Sequence, residues 1–180
     1  MESRAPITGM ESRAKLAGHA IHPMLIVFPL GLLAMAVIFD ALYYATGNAS
    51  LATGAFLNIS AGIITGLLAA VFGAWDWLHI PDGTRAKAIG VWHGLGNVVV
   101  VALFAVSWYL RSLDPQHLPS GLAFGLVLVG AVLALVSSWL GGELVERLGV
   151  GVDEGAHLNS PSALSGRPAS EGSTSPQRGE

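Results

Sequence analysis

The sequence predicts an all-α fold: a four-transmembrane-helix bundle running up-down-up-down, with both termini cytoplasmic. Three observations predict it. Of 180 residues, 52% are hydrophobic and only 12% charged, about half the charged share of an ordinary soluble domain. The apolar residues fall in four blocks, about 23–45, 52–78, 88–110 and 120–140, each near the ~20 residues that a helix needs to cross a hydrocarbon core. The links between them, TGNAS, HIPDGTRAK and RSLDPQHLP, are short enough to make neighbouring helices antiparallel.

The first 20 residues read as a basic, partly disordered cytoplasmic leader. Its MESRA segment occurs at Met1 and again at Met10, so Met10 competes with Met1 as the start. In the first block Pro23 suits the first turn of a helix, and Pro29 removes a backbone donor and predicts a kink. The block outruns a signal-peptide core, and Asp40, Tyr43 and Tyr44 follow it with no small-x-small cleavage site, which predicts a retained helix. The second block carries a small-residue stripe, Gly62, Gly66, Ala69 and Gly73, ending in Asp76; such stripes let backbones approach closely. Gly90 with Gly94, and Gly121 with Gly125, repeat the spacing in the third and fourth blocks.

Orientation follows from the cations near the helix ends. Arg4, Arg13, Lys15, Arg85, Lys87 and Arg147 fall on one side, and only Arg111 on the other. Trp75, Trp77, Trp92 and Trp139 would mark the inner interface, and Tyr43, Tyr44, Trp108 and Tyr109 the outer one. The transmembrane domain is thus expected over 21–152. Residues 153–180, rich in Ser, Gly, Pro and charge, read as a disordered cytoplasmic tail.

Inside a bilayer the informative residues are polar, because each is costly unless partnered. His22 and Asp40 are eighteen residues apart, as are Asn58 and Asp76, and eighteen residues make five whole turns, so each pair shares a helix face. The antiparallel order then sorts these groups into two layers. Asp40 and Asn58, with Ser107, form an outer layer, and Asp40 with Asn58 reads as a structural pair. His22, Asp76, His79, His93 and Asn97 form an inner layer. His93 and Asn97 lie one turn apart on one face, and Asp76 is placed to accept from a His93 ring nitrogen and leave the other free.

His22 and His93 are therefore candidate axial ligands of a haem b. His22, Asp76 and His93 are an alternative N/O set for a divalent metal such as Zn or Fe. Asp40, Asn58, Asp76 and Asn97 are supporting polar groups. His79 reads as a wet-loop residue, and His19, His117 and His157 as solvated. The chain has no cysteine, which excludes thiolate nucleophiles and Cys-ligated clusters. Its net charge of −3 does not point to nucleic acid. No nucleophile elbow, phosphate loop or HExxH motif occurs, and GVGV lacks a strand-turn-helix setting. No enzyme activity of the chain alone is expected.

Several of these residues carry a family resemblance. His22-Pro23, Phe28-Pro29, Asp40, the Gly66 to Gly73 run ending in Asp76, His93 with Asn97, and GGELVERLGVGV at 141–152 resemble the domain-of-unknown-function 2231 family. The resemblance implies a bacterial inner-membrane protein with four transmembrane helices. Such domains occur alone or beside Rieske-type iron–sulfur modules, which implies redox chemistry and, in this cysteine-free chain, a separate Rieske-type partner. The expected function is accordingly a haem- or metal-binding electron-transfer subunit. One alternative is a non-catalytic anchor or scaffold that docks partners through GGELVERLGVGV. Another is a small proton-coupled transporter or channel, a homo-oligomer using Asp40, Asp76 and His93 as a relay.

Overall fold

A computed structural model describes residues 9–172. Four helical spans, Ile21–Thr46, Ala49–His79, Arg85–Ser112 and Gly121–Arg147, are long and apolar enough to cross a membrane. The first three spans lie within three residues of the expected blocks at each end, and the fourth runs on to Arg147, seven residues past the expected 140. The first span is two helices, α1 (Ile21–Leu25) and α2 (Val27–Thr46), separated at Ile26. Pro29 explains the break: it has no N–H to offer the Leu25 carbonyl one turn back. The other spans are α3 (Ala49–His79), α4 (Arg85–Ser112) and α5 (Gly121–Gly142), which widens into a π-helical turn at Glu143–Arg147.

Side-chain caps set the helix starts. Asn48 accepts from the Ser50 N–H, Thr84 from Lys87 and Ser120 from Ala123, each satisfying an N–H that the first turn cannot pair. Gly47, at φ 70°, ends α2 in the left-handed conformation that glycine adopts without steric cost.

The helices form two hairpins. α2 packs chiefly on α3 and α4 chiefly on α5, with a narrower seam between the pairs. The core is a thin layer across that seam, built from Leu33, Ala36, Ala55, Ile59, Val100, Phe104 and Val127. Outside it Leu57, Leu67, Val71, Val98, Val132 and Leu135 are exposed. Apolar exposure on this scale suits hydrocarbon rather than water. Glycine sets the spacing within each hairpin. A Cβ on Gly62 would lie 2.5 Å from Leu33 Cδ2, and one on Gly130 would lie 2.8 Å from Phe104 Cε2. Gly121 and Gly125, expected to form the close-packing pair of the fourth span, have open space around them; Gly130, against Phe104, fills that role.

From Gly9 onward the leader is docked rather than disordered; residues 1–8, with the first MESRA copy, lie outside the described region. β1 (Lys15–Leu16) pairs with β2 (His19–Ala20). Met10 bonds through its backbone to Gly149 and Gly151 of the GVGV segment. Lys15 bridges Glu11 at 2.8 Å and Asp153 at 2.5 Å. The tail, expected to take no structure, runs through 153–172 as turns with one 3₁₀ turn at Ala163–Ser165; residues 173–180 lie outside the described region.

The leader clasp has a pH signature. Hydrogen bonds from Lys15 and from the Glu154 N–H hold the Glu11 carboxyl below its ordinary 4.5. Hydrogen bonds to Asp153 and Glu11 hold the Lys15 ammonium above its ordinary 10.5. A depressed acid stabilises above its free value and loses that contribution as pH falls through the folded one. A raised base stabilises below its free value and loses it as pH rises through the folded one. Hydrogen-exchange protection of the Met10 and Gly151 amides should therefore stay level between 4.5 and 10.5 and fall outside that window, once intrinsic exchange is corrected. Loss of protection near neutral pH would contradict the clasp.

Candidate functional site

The site begins with two glycines. In α3, Gly73 lies one turn beyond Ala69 and has no side chain to cover the Ala69 carbonyl. The His22 ring occupies that space: a Cβ on Gly73 would fall 2.8 Å from its Nδ1. His22 Nδ1 lies 2.8 Å from the Ala69 carbonyl oxygen. In α5, Gly141 stands in the same relation to Ser137. His93 sits against Gly141, where a Cβ would fall 3.1 Å from its Cε1, and its Nδ1 lies 2.8 Å from the Ser137 carbonyl oxygen. A carbonyl can only accept, so both rings donate through Nδ1–H, which in the neutral imidazole leaves the lone pair on Nε2. The Ser137 hydroxyl donates back to the His93 carbonyl at 3.1 Å, and Asn97 Nδ2 approaches His93 Nε2 at 3.1 Å.

The two rings face each other across the seam. Their centres are 6.3 Å apart and their planes stand at 89°. His22 belongs to the first hairpin and His93 to the second, so this contact joins the halves of the molecule near the end where the leader meets the GVGV segment.

A second polar contact joins the halves at the opposite end. Arg111 Nη1 and Nη2 donate to Asp40 Oδ1 and Oδ2 at 2.6 and 2.5 Å, and both side chains have 0% exposure. Arg111 Nε donates to Ser107 Oγ at 3.2 Å, and Ser107 donates to the Ala123 carbonyl at 2.8 Å. This corrects the reading of Arg111 as an interfacial cation. It also corrects the pairing of Asp40 with Asn58. Asn58 donates to the Gly54 carbonyl of its own helix at 2.9 Å, a bond that needs no partner helix.

The remaining candidates separate. Asp76 does not reach His93 but takes the leader, accepting from Ser12 Oγ, Arg13 N and Ala14 N at 2.7, 2.8 and 3.3 Å. Among the described residues no three His, Asp or Glu side chains are grouped to hold a metal; His22, Asp76 and His93 are not brought together as one set. Asp40, Asp76 and His93 sit in three different clusters rather than along a relay. His79 is exposed, with Nδ1 on the Trp75 carbonyl. His117, read as solvated, stacks on Phe56 with ring centres 3.9 Å apart. The GVGV segment binds Met10 of the same chain.

Four apolar helices of membrane-crossing length, with polar groups paired across a thin interior, define a multi-span membrane protein. The chain belongs to the family described as predicted membrane protein DUF2231, whose model matches residues 18–154. The match takes in all four spans, the histidine pair and the Asp40–Arg111 contact. No curated protein and no solved structure is detectably similar to the chain.

Proposed function

We propose that the protein is an electron-transfer subunit of the bacterial inner membrane, holding a haem b between His22 and His93 near the cytoplasmic side. One observation carries this reading: two histidines on different hairpins, each tied through Nδ1–H to a backbone carbonyl, meet in an apolar bundle with Nε2 as the lone-pair nitrogen. Nδ1 fixed by a carbonyl is the arrangement that orients an imidazole as a metal ligand.

A shared iron would set the two ring centres at a similar separation. Two metal–nitrogen bonds of about 2.0–2.1 Å, plus roughly 1 Å from each nitrogen to its ring centre, give about 6 Å, against 6.3 Å here. Haem iron would supply a one-electron couple. The chain's own residues hold and orient. Gly73 and Gly141 seat the rings, Ala69 and Ser137 fix their tautomers, and Asn97 must release His93 Nε2 for ligation. The porphyrin has to enter the seam between the hairpins, not the interior of either one. A separate redox protein, such as a Rieske-type partner, would exchange electrons with the centre.

The test is the absorption spectrum of the full-length protein, purified in mild detergent from haem-replete cells. The reading predicts a Soret band and sharp visible bands on dithionite reduction. His22→Ala and His93→Ala should each lower haem affinity by on the order of tenfold or more. No Soret band in the wild type, even after added haem, overturns the proposal.

A further inference from the structure

We infer that the chain is a duplicated helical hairpin and that Asp40 and Arg111 are positioning residues, registering its two histidine half-sites across a pseudo-twofold axis. The role assigned to the histidines rests on the reading above; the duplication does not.

The equivalence is read from contacts. A shift of 71 residues carries His22 onto His93, Leu33 onto Phe104, Ala36 onto Ser107 and Asp40 onto Arg111. A shift of 68 carries α3 onto α5: Ala55 onto Ala123, Ile59 onto Val127, Gly62 onto Gly130, Ala69 onto Ser137 and Gly73 onto Gly141. The three-residue difference falls in the hairpin connection, where the loop after Ser112 replaces the last turn of α2 and the first turn of α3.

The matched positions do the same work in each half. His22 sits on Gly73 with Nδ1 on the Ala69 carbonyl, as His93 sits on Gly141 with Nδ1 on Ser137. Leu33 covers Gly62 as Phe104 covers Gly130. The core positions Leu33, Ala36, Ala55 and Ile59 are buried, and so are their equivalents Phe104, Ser107, Ala123 and Val127. One fixed shift per helix reproduces all of these.

Both hairpins run in the same direction, so the operation relating them is a rotation about an axis along the bundle. Where a residue touches its own equivalent, the contact lies on that axis. His22–His93 is one such contact and Asp40–Arg111 the other, eighteen residues or about 27 Å apart along the helices. The histidines are alike, which a ligand with two equivalent faces requires. The other pair is opposite in charge. First hairpin against second hairpin satisfies it, whereas like against like would bury two carboxylates or two guanidiniums. The salt bridge therefore selects the unlike pairing and fixes the register in which the histidines meet.

The test exchanges the clasp in the full chain. Asp40→Arg and Arg111→Asp, each alone, put like charges on the axis. The set Asp40→Arg, Arg111→Asp, Ala36→Ser and Ser107→Ala restores the bridge with its hydroxyl support moved to the equivalent place, facing the Ala55 carbonyl instead of Ala123. Each single variant should melt roughly 10 °C or more below the wild type in detergent, and the exchanged set within about 5 °C of it. Register is read separately by placing His22→Cys and His93→Cys in each background. The natural chain has no cysteine, so a short bis-maleimide can join only these two. An intrachain cross-link is expected in the parent and the exchanged set and lost in Asp40→Arg. Neither readout needs a bound haem, so failure here is distinct from failure of the haem reading. An exchanged set as unstable as the single variants overturns the duplication. A cross-link undiminished in Asp40→Arg overturns the positioning role.

Discussion

Arg111→Met or Asp40→Leu, each alone, is expected to destabilise the protein by about 3–5 kcal/mol, a fall in melting temperature of roughly 10 °C or more. Each leaves one charge at 0% exposure with its partner gone. Arg111 would keep only Ser107, and Asp40 would lose both of its donors. The double variant Asp40→Leu/Arg111→Met should recover most of the loss, because apolar residues of similar volume carry no desolvation penalty. Thermal melts of the four proteins in one detergent provide the check. Single variants that melt like the wild type would mean that the clasp is not buried against its partner.

Gly73→Val and Gly141→Val are expected to have the second largest effect. A first added carbon would fall 2.8 Å from His22 Nδ1, closer than Cβ atoms come, or 3.1 Å from His93 Cε1, already a tight contact, and the valine methyls beyond it displace each ring from its carbonyl. Overpacking costs about 1–3 kcal/mol, and the proposed site loses one oriented imidazole. Gly125→Val, which meets nothing within 4 Å of its Cβ, is the matched control. Haem content should fall strongly in the first two variants and hold in the third. Equal retention in all three would show that the glycines do not seat the histidines.

Hydropathy made the four spans legible, because block length and composition alone decide whether a helix suits a bilayer. The histidines were legible as polar residues that a membrane helix does not carry without a use. Their partners were not. Ala69 and Ser137 act through backbone carbonyls, which look the same in every residue. Gly73 and Gly141 uncover those carbonyls, a role distinct from the helix approach that a small-residue stripe ordinarily signals. Arg111 stands near a helix end, where a cation normally marks an interface, and that rule hid its burial.

The eighteen-residue spacing is a true signal with a different match. Eighteen residues separate His22 from Asp40 and also His93 from Arg111. The second pair is the structural equivalent, and Asn58 with Asp76 only shares the number. Asp76 was misplaced for a different reason. Its donors are one hydroxyl and two backbone N–H groups of the leader, a segment with no periodicity to show that it docks.

The most direct measurement is the low-temperature electron paramagnetic resonance spectrum of the ferric, full-length protein with haem bound, beside those of His22→Ala and His93→Ala. Coordination from both hairpins predicts a low-spin spectrum in the wild type and a high-spin signal in whichever single variant retains haem. A high-spin wild type, or a low-spin signal that survives the loss of either histidine, would contradict a centre shared between His22 and His93.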